Sequence, residues 1–241
     1  MSAKRTTGTL ALLGGGEWLP ECRDFDAELI AVSEAKEVVV LPTAAAFEHP
    51  EHAVERAEAY FAEFDLPVAA LRVLHRREAE EAENASDLAR ARFVYLADGS
   101  PLHLRSVLKD SRLFAALLDA YRNGATIAAS GAGATVLCDP MVDPRGGAYT
   151  VGLGLVANLA VFPYHGSAAD HMRERSIDLL AGVAVLAGID SSTALVREPS
   201  GTWRVAGAGS VTLYGTGAGA VDDVDGSAVF AAPSVIETLK M

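Results

Sequence analysis

Residues 127–137, Ile-Ala-Ala-Ser-Gly-Ala-Gly-Ala-Thr-Val-Leu, carry an apolar, strand-like run into a cluster of tiny residues and out into a stretch able to start a helix. A nucleophile elbow needs that setting, because its turn is too tight for bulky neighbours and its backbone amides must face the reacting oxygen. In the Gly-x-Ser-x-Gly pattern the central position bears the hydroxyl. With Gly133 as the closing glycine the centre falls on Gly131, and the hydroxyl sits one place early, on Ser130. Gly131 has no side chain and cannot form an acyl-enzyme. Ser130 is one Cα step away, about 3.8 Å, whereas attack geometry tolerates errors of only about 0.5–1 Å. Ser130 is therefore either a displaced nucleophile or a turn hydroxyl satisfying backbone amides, the second being the more ordinary role.

Other residues could join such a site. His165 ends the run Phe162-Pro163-Tyr164-His165 and is the candidate base. His103 follows the turn Asp98-Gly99-Ser100-Pro101 and points toward the same rim, with Ser100 beside it as a candidate ligand contact. His171, near Arg173 and Arg175, is a secondary candidate. The glycines of Gly14-Gly15-Gly16-Glu17 let the chain approach a site floor and leave Glu17 available to a cationic group of a ligand. That loop lacks the Gly-x-Gly-x-x-Gly register and any Lys-Ser/Thr, so no nucleotide is expected. His49, His52 and His75 show no zinc-ligand spacing, and Asp222-Asp223-Val224-Asp225-Gly226 reads as a surface turn rather than a calcium loop. No metal and no cofactor are expected.

The elements that must position these residues are legible as an alternation. Apolar runs at 8–13, 38–41, 68–74, 93–96 and 126–129 read as strands; 24–33, 50–64, 76–90 and 102–122 read as helices. Such alternation gives an α/β fold, a three-layer sandwich with a mostly parallel central sheet flanked by helices. Glycine-rich turns after the first, fourth and fifth strands fit a site beyond the carboxyl ends of parallel strands. After the apolar run 153–162 and a helix at 170–181, short strands at 193–197, 202–206, 209–214 and 227–231 read as a C-terminal β meander packed on the sheet edge. Residues 1–241 are read as a single domain.

Composition bounds the partners. Half of the 241 residues are hydrophobic, enough for a sizeable core. A formal net charge of −12 argues against nucleic acid and anionic membrane, which need clustered Lys and Arg. Cys22 and Cys138 are far apart and fit a reduced setting. Residues 1–7 are polar and no apolar run approaches a membrane span, so a soluble, cytoplasmic protein is expected. The partners this leaves are a small peptide-like or acidic ligand and a second copy of the chain in a homodimer.

Over nearly its whole length the chain resembles the cyanophycinase and aspartyl-dipeptidase E family of serine peptidases, whose fold is akin to class I glutamine amidotransferases. The resemblance is carried by Leu12-Leu13-Gly14-Gly15-Gly16-Glu17, Val38 to Ala44, Asp98-Gly99-Ser100 before Leu104, the elbow at 129–134, and Gly188-Ile189-Asp190 leading into Thr193-Ala194-Leu195-Val196. It implies that the catalytic serine maps to Gly131 and the catalytic histidine to His165. It also implies an orienting acid in the loop after the elbow helix, where Asp139 and Asp143 both lie, and oxyanion donors at Gly99 N–H and Ala132 N–H. The sequence departs from the family pattern with glycine at 131, Asp98 in place of a glycine, and Pro101.

Three functions follow. One is a degenerate peptidase fold that keeps the pocket, the amides and His165 but binds ligand without covalent hydrolysis. Another is an active peptidase or isopeptidase using Ser130 with His165. The third is a structural role in an oligomer. Glycine at the nucleophile position favours the first over the second, and the complete α/β framework disfavours the third.

Overall fold

The computed structural model describes residues 7–180, 184–215, 227–236 and 239. In chain order, β1 (Leu10–Leu13), α1 (Arg23–Ser33), β2 (Val38–Leu41), α2 (Pro50–Ala62), β3 (Val68–Ala70), α3 (Arg76–Ala79), α4 (Ala82–Arg90) and β4 (Phe93–Leu96) build the first half. Then come α5 (Pro101–Leu108), α6 (Arg112–Arg122), β5 (Thr126–Ser130) and α7 (Ala132–Leu137). Four two-residue strands follow, β6 (Cys138–Asp139), β7 (Met141–Val142), β8 (Tyr149–Thr150) and β9 (Val156–Ala157). The chain continues through β10 (Leu159–Phe162), α8 (Asp170–Asp178), β11 (Val185–Ile189), β12 (Thr193–Arg197), β13 (Trp203–Gly207), β14 (Ser210–Tyr214), β15 (Ser227–Ala231) and β16 (Ser234–Ile236).

The main sheet has eight strands in the order β16-β13-β12-β1-β5-β4-β2-β3. From β1 through β5, β4 and β2 to β3 every pairing is parallel. On the other side of β1 the pairings to β12, β13 and β16 are antiparallel. The central strands Leu-Ala-Leu-Leu, Val-Val-Val-Leu and Phe-Val-Tyr-Leu are buried at every position. Their side chains alternate between two cores. Leu10, Leu12, Val39, Leu41, Val94 and Leu96 face one; Ala11, Leu13, Val38, Val40, Phe93 and Tyr95 face the other. Burial on both faces is why these strands read as continuous apolar runs, and it makes the fold a three-layer α/β sandwich.

Three local expectations change. The helix expected over 102–122 is two helices, because Asp110 takes a left-handed conformation (φ 56°) and Ser111 caps a new helix, its hydroxyl oxygen accepting from Phe114 N at 3.0 Å. The segment 76–90 likewise divides into α3 and α4. The C-terminal strands do not form one meander. β12, β13 and β16 extend the main sheet, while β14 and β15 join β10 and β11 in a second sheet ordered β10-β11-β14-β15. The turn expected at 222–226 lies outside the described residues.

This topology gathers the site. β1, β5 and β4 are neighbours, so the loops leaving their carboxyl ends bring Glu17, Ser130–Gly131 and Asp98–Gly99 together. The chain leaving β10 joins them, with Tyr164 N donating to Gly14 O at 2.7 Å.

Candidate active site

β5 ends at Ser130 and α7 starts at Ala132, so Gly131 alone makes the turn. It does so at φ 44°, ψ −98°, in the left-handed half of φ space where a side chain is strained. Its amide donates to Leu13 O at 3.0 Å, and its carbonyl accepts from Thr135 N at 3.0 Å and Thr135 Oγ1 at 2.9 Å, which fixes the turn from both sides.

The space above that turn belongs to Asp98. A Cβ added at Gly131 would lie 2.2–2.3 Å from the Asp98 carboxyl atoms, closer than any real contact. Asp98 Oδ1 accepts from two main-chain amides, Gly99 N and Ala132 N, each at 2.7 Å. The sequence resemblance singles out those same amides as oxyanion donors. The Tyr164 hydroxyl donates to Asp98 Oδ2. Tyr164 reaches this position by lying across Gly15, where a Cβ would come within 2.2 Å of its ring. Burial, and then the neighbouring Asp98 carboxylate, push the Tyr164 phenol above its usual range, so it serves as a neutral donor.

Beneath the turn lies a second carboxyl group. Glu17 is buried, with Oε2 accepting from Ser130 Oγ at 2.8 Å and Oε1 paired with Arg56 Nη2 at 3.2 Å. Burial chiefly, and the charge of Asp98 next, raise its carboxyl above the ordinary value. Ser130 has no exposed surface. Its hydroxyl is spent on Glu17, and Ser130 itself lines neither of the cavities described below.

His165 stands at the end of β10, half enclosed. Its Nε2 is 2.8 Å from the Tyr214 hydroxyl and its Nδ1 is 3.7 Å from Asp190 Oδ1. Burial holds the imidazole below its usual pKa, against the opposing pull of Asp190. The two acids expected after the elbow helix have other partners. Asp139 Oδ1 accepts from Gly152 N at 2.9 Å, and Asp143 is clamped by Arg145. Asp190 itself is fixed by Ser210, whose amide and hydroxyl both donate to its Oδ2. Of the rim residues, Ser100 caps α5 by accepting from His103 N at 3.3 Å. The His103 ring lies 2.8 Å from Leu74 O and edge-on to Phe47.

The structure thus brings Glu17, Ser130, Gly131, Ala132 and Gly99 to one point, with His165 joined to a separate cluster of Asp190 and Tyr214. Sequence reasoning missed the roles of Asp98, Tyr164, Arg56, Asp190 and Tyr214. The first two stand inside motifs the sequence already offered, one residue before Gly99 and one before His165.

Two cavities meet at the Asp98–Tyr164 contact, both lined by Asp98, Gly99 and Tyr164. One, of about 430 Å³, is walled by Val142, Pro144, Phe162, Ala168 and Met172. The other, of about 410 Å³, is walled by Glu17, Glu48, His49, His52 and Arg56. Among the described residues no group of three or more His, Cys, Asp or Glu side chains is arranged to hold a metal ion.

The family model for peptidase family S51 matches residues 10–199. The chain belongs to peptidase family S51. Among its family relatives are the cyanophycinases of Trichormus variabilis and of a Nostoc species, each 30% identical over 158 residues, 59% of this chain and 51% of theirs. The cyanophycinase of Synechococcus elongatus is 29% identical over 153 residues, 57% of this chain and 46% of its own. The chain spans about half the length of the curated relatives it matches. A crystal structure of a peptidase from an acI-B1 actinobacterium superposes with a TM-score of 0.84 at 25% identity, covering 97% of this chain and 98% of the other. A peptidase E-type protein of Listeria monocytogenes shares the fold, with a TM-score of 0.60 at 17% identity over 79% of this chain and 94% of that one. Among the described residues no helix is long and apolar enough to cross a membrane.

Proposed function

We propose that this S51-family chain binds a small peptide ligand without forming an acyl-enzyme. One observation carries the reading: the Asp98 carboxylate fills the space in which any side chain of residue 131 would begin, and holds both amides that acyl transfer would need. Covalent hydrolysis requires a hydroxyl over the turn and unoccupied donors where the oxyanion develops. Losing one such donor costs about 10²–10³ in kcat, and here two are engaged by an internal anion. An acidic ligand group meets the same obstacle, which favours a peptide with other functionality.

The alternative, a peptidase using Ser130 with His165, is opposed by the burial of Ser130 and by its hydrogen bond to Glu17. His165 Nε2, the nitrogen that would take the proton, faces Tyr214. A fluorophosphonate probe tests the reading: the folded protein is expected to remain unlabelled. Labelling that disappears in Ser130→Ala, with hydrolysis lost in His165→Ala, would establish the shifted nucleophile instead.

A further inference from the structure

We propose that the ligand is a peptide with a free amino terminus and an apolar first side chain, its ammonium held by Asp98 where the two cavities meet. The proposal deepens the non-covalent reading above and rests on it. Asp98 accepts from Gly99 N, Ala132 N and the Tyr164 hydroxyl. All three donors are neutral, so among the described residues no counter-ion stands in the hydrogen-bond set of this carboxylate. An ionised carboxylate has about four acceptor sites, and with three filled the remaining one is on Oδ2. A primary ammonium is compact, carries three N–H donors and supplies the missing charge.

The surroundings choose between ligand charges. In the polar cavity Arg56 is paired with buried Glu17, and the other lining carboxylates are Asp98 and Glu48, beside the imidazoles of His49 and His52. An ammonium is attracted there, whereas a carboxylate meets Asp98 head-on. The second cavity decides the rest of the ligand. Its walls are mostly hydrocarbon, from Phe162, Met172, Val142, Pro144 and Ala168, with Thr135 and Asp98 also in the lining, and its volume of about 430 Å³ is in the range that takes a small ligand. Because Asp98 lines both cavities, an α-ammonium on its carboxylate puts the first side chain at the mouth of the apolar one. A side chain one bond from the amine carbon satisfies that spacing.

Calorimetric titration with phenylalanyl-glycinamide checks the idea, using its N-acetyl derivative, glycyl-glycinamide and aspartyl-glycinamide as comparisons. The free-amine phenylalanyl compound should bind saturably. Acetylation should weaken binding at least tenfold, since it removes the charge and leaves the apolar group. Glycine or aspartate in first place should weaken it by a similar factor. Asp98→Asn, which can still accept from both amides, should also lose tenfold or more, and Ala168→Trp should block the apolar cavity. Equal binding of the acetylated compound, preference for aspartate, or no binding of the phenylalanyl compound to folded protein would overturn the proposal. The acetylation series needs only the unmodified chain and stands if a variant fails to fold. Fluorophosphonate labelling would defeat the non-covalent reading itself; an unlabelled protein that ignores the amine defeats this inference alone.

Discussion

Gly131 and Asp98 form a pair in which each residue requires the other's identity. A serine at 131 would carry its Cβ into the Asp98 carboxyl group and would sit at φ 44°. Non-glycine residues in sparsely populated backbone regions cost about 1–3 kcal/mol, and the displaced carboxylate would give up two amide bonds as well. Gly131→Ser is therefore expected to destabilise the chain by that amount or more, measured as a fall in denaturant midpoint. Asp98→Gly should offset part of the loss, with a coupling of about 1 kcal/mol or more in the double-mutant cycle. Additivity within about 0.5 kcal/mol would mean that the two residues do not compete for space. Half of this pair was legible in the sequence. The tight cluster at 129–134 located the turn, and the missing hydroxyl at 131 was plain. What filled its place was not, because Asp98 is remote in sequence and reaches the turn only through the pairing of β4 with β5. Asp190 and Tyr214 escaped for a similar reason: the contacts that set them around His165 run between β11 and β14 of a second sheet that spacing along the chain does not reveal.

Elements with one strong local signal were read well, and those decided by a single capping residue were not. The central strands are buried on both faces, so their apolar runs left little choice, and each lies where the sequence places it. The long helix expected over 102–122 failed at Ser111. Its apolar residues continue in helical rhythm across the break, but the hydroxyl oxygen of Ser111 accepts from Phe114 N while its proton goes to Leu108 O at 2.7 Å. A buried hydroxyl used in both directions stops one helix and starts the next. The break lets α5 begin directly after the Asp98–Gly99 turn while α6 packs separately against α4. Ser111→Ala removes the cap and strands Phe114 N–H, so about 1–2 kcal/mol of stability should be lost. Chemical denaturation gives the number, and a loss below about 0.3 kcal/mol would show that the cap does not define the junction.

At the scale of the whole molecule, the buried acids set how the fold responds to pH. Asp26 of α1 has no exposed surface; the Tyr60 hydroxyl of α2 donates to its Oδ2 at 2.9 Å, while Oδ1 has no hydrogen-bond partner among the described residues. Burial raises its pKa from 3.8 to about 7, against the lowering effect of the Tyr60 bond and with a further rise from Glu17. The folded state therefore holds a proton that the unfolded chain releases near pH 4, and between those values folding takes up protons. Linkage then makes stability fall as pH rises. The contribution is intact below about pH 4, declines through the interval and is lost above about pH 7, where Asp26 ionises in the fold. Glu17, raised by its own burial and by Asp98, acts in the same direction. A rise of this size in one group corresponds to a few kcal/mol. Asp26→Asn cannot ionise, so its melting temperature should change less between pH 5 and 8 and should exceed that of the parent at the upper end. The Asp26–Tyr60 bond joins α1 to α2, the helix that also supplies Arg56 to Glu17. Parallel pH profiles for the parent and Asp26→Asn would place the responsible proton on another group.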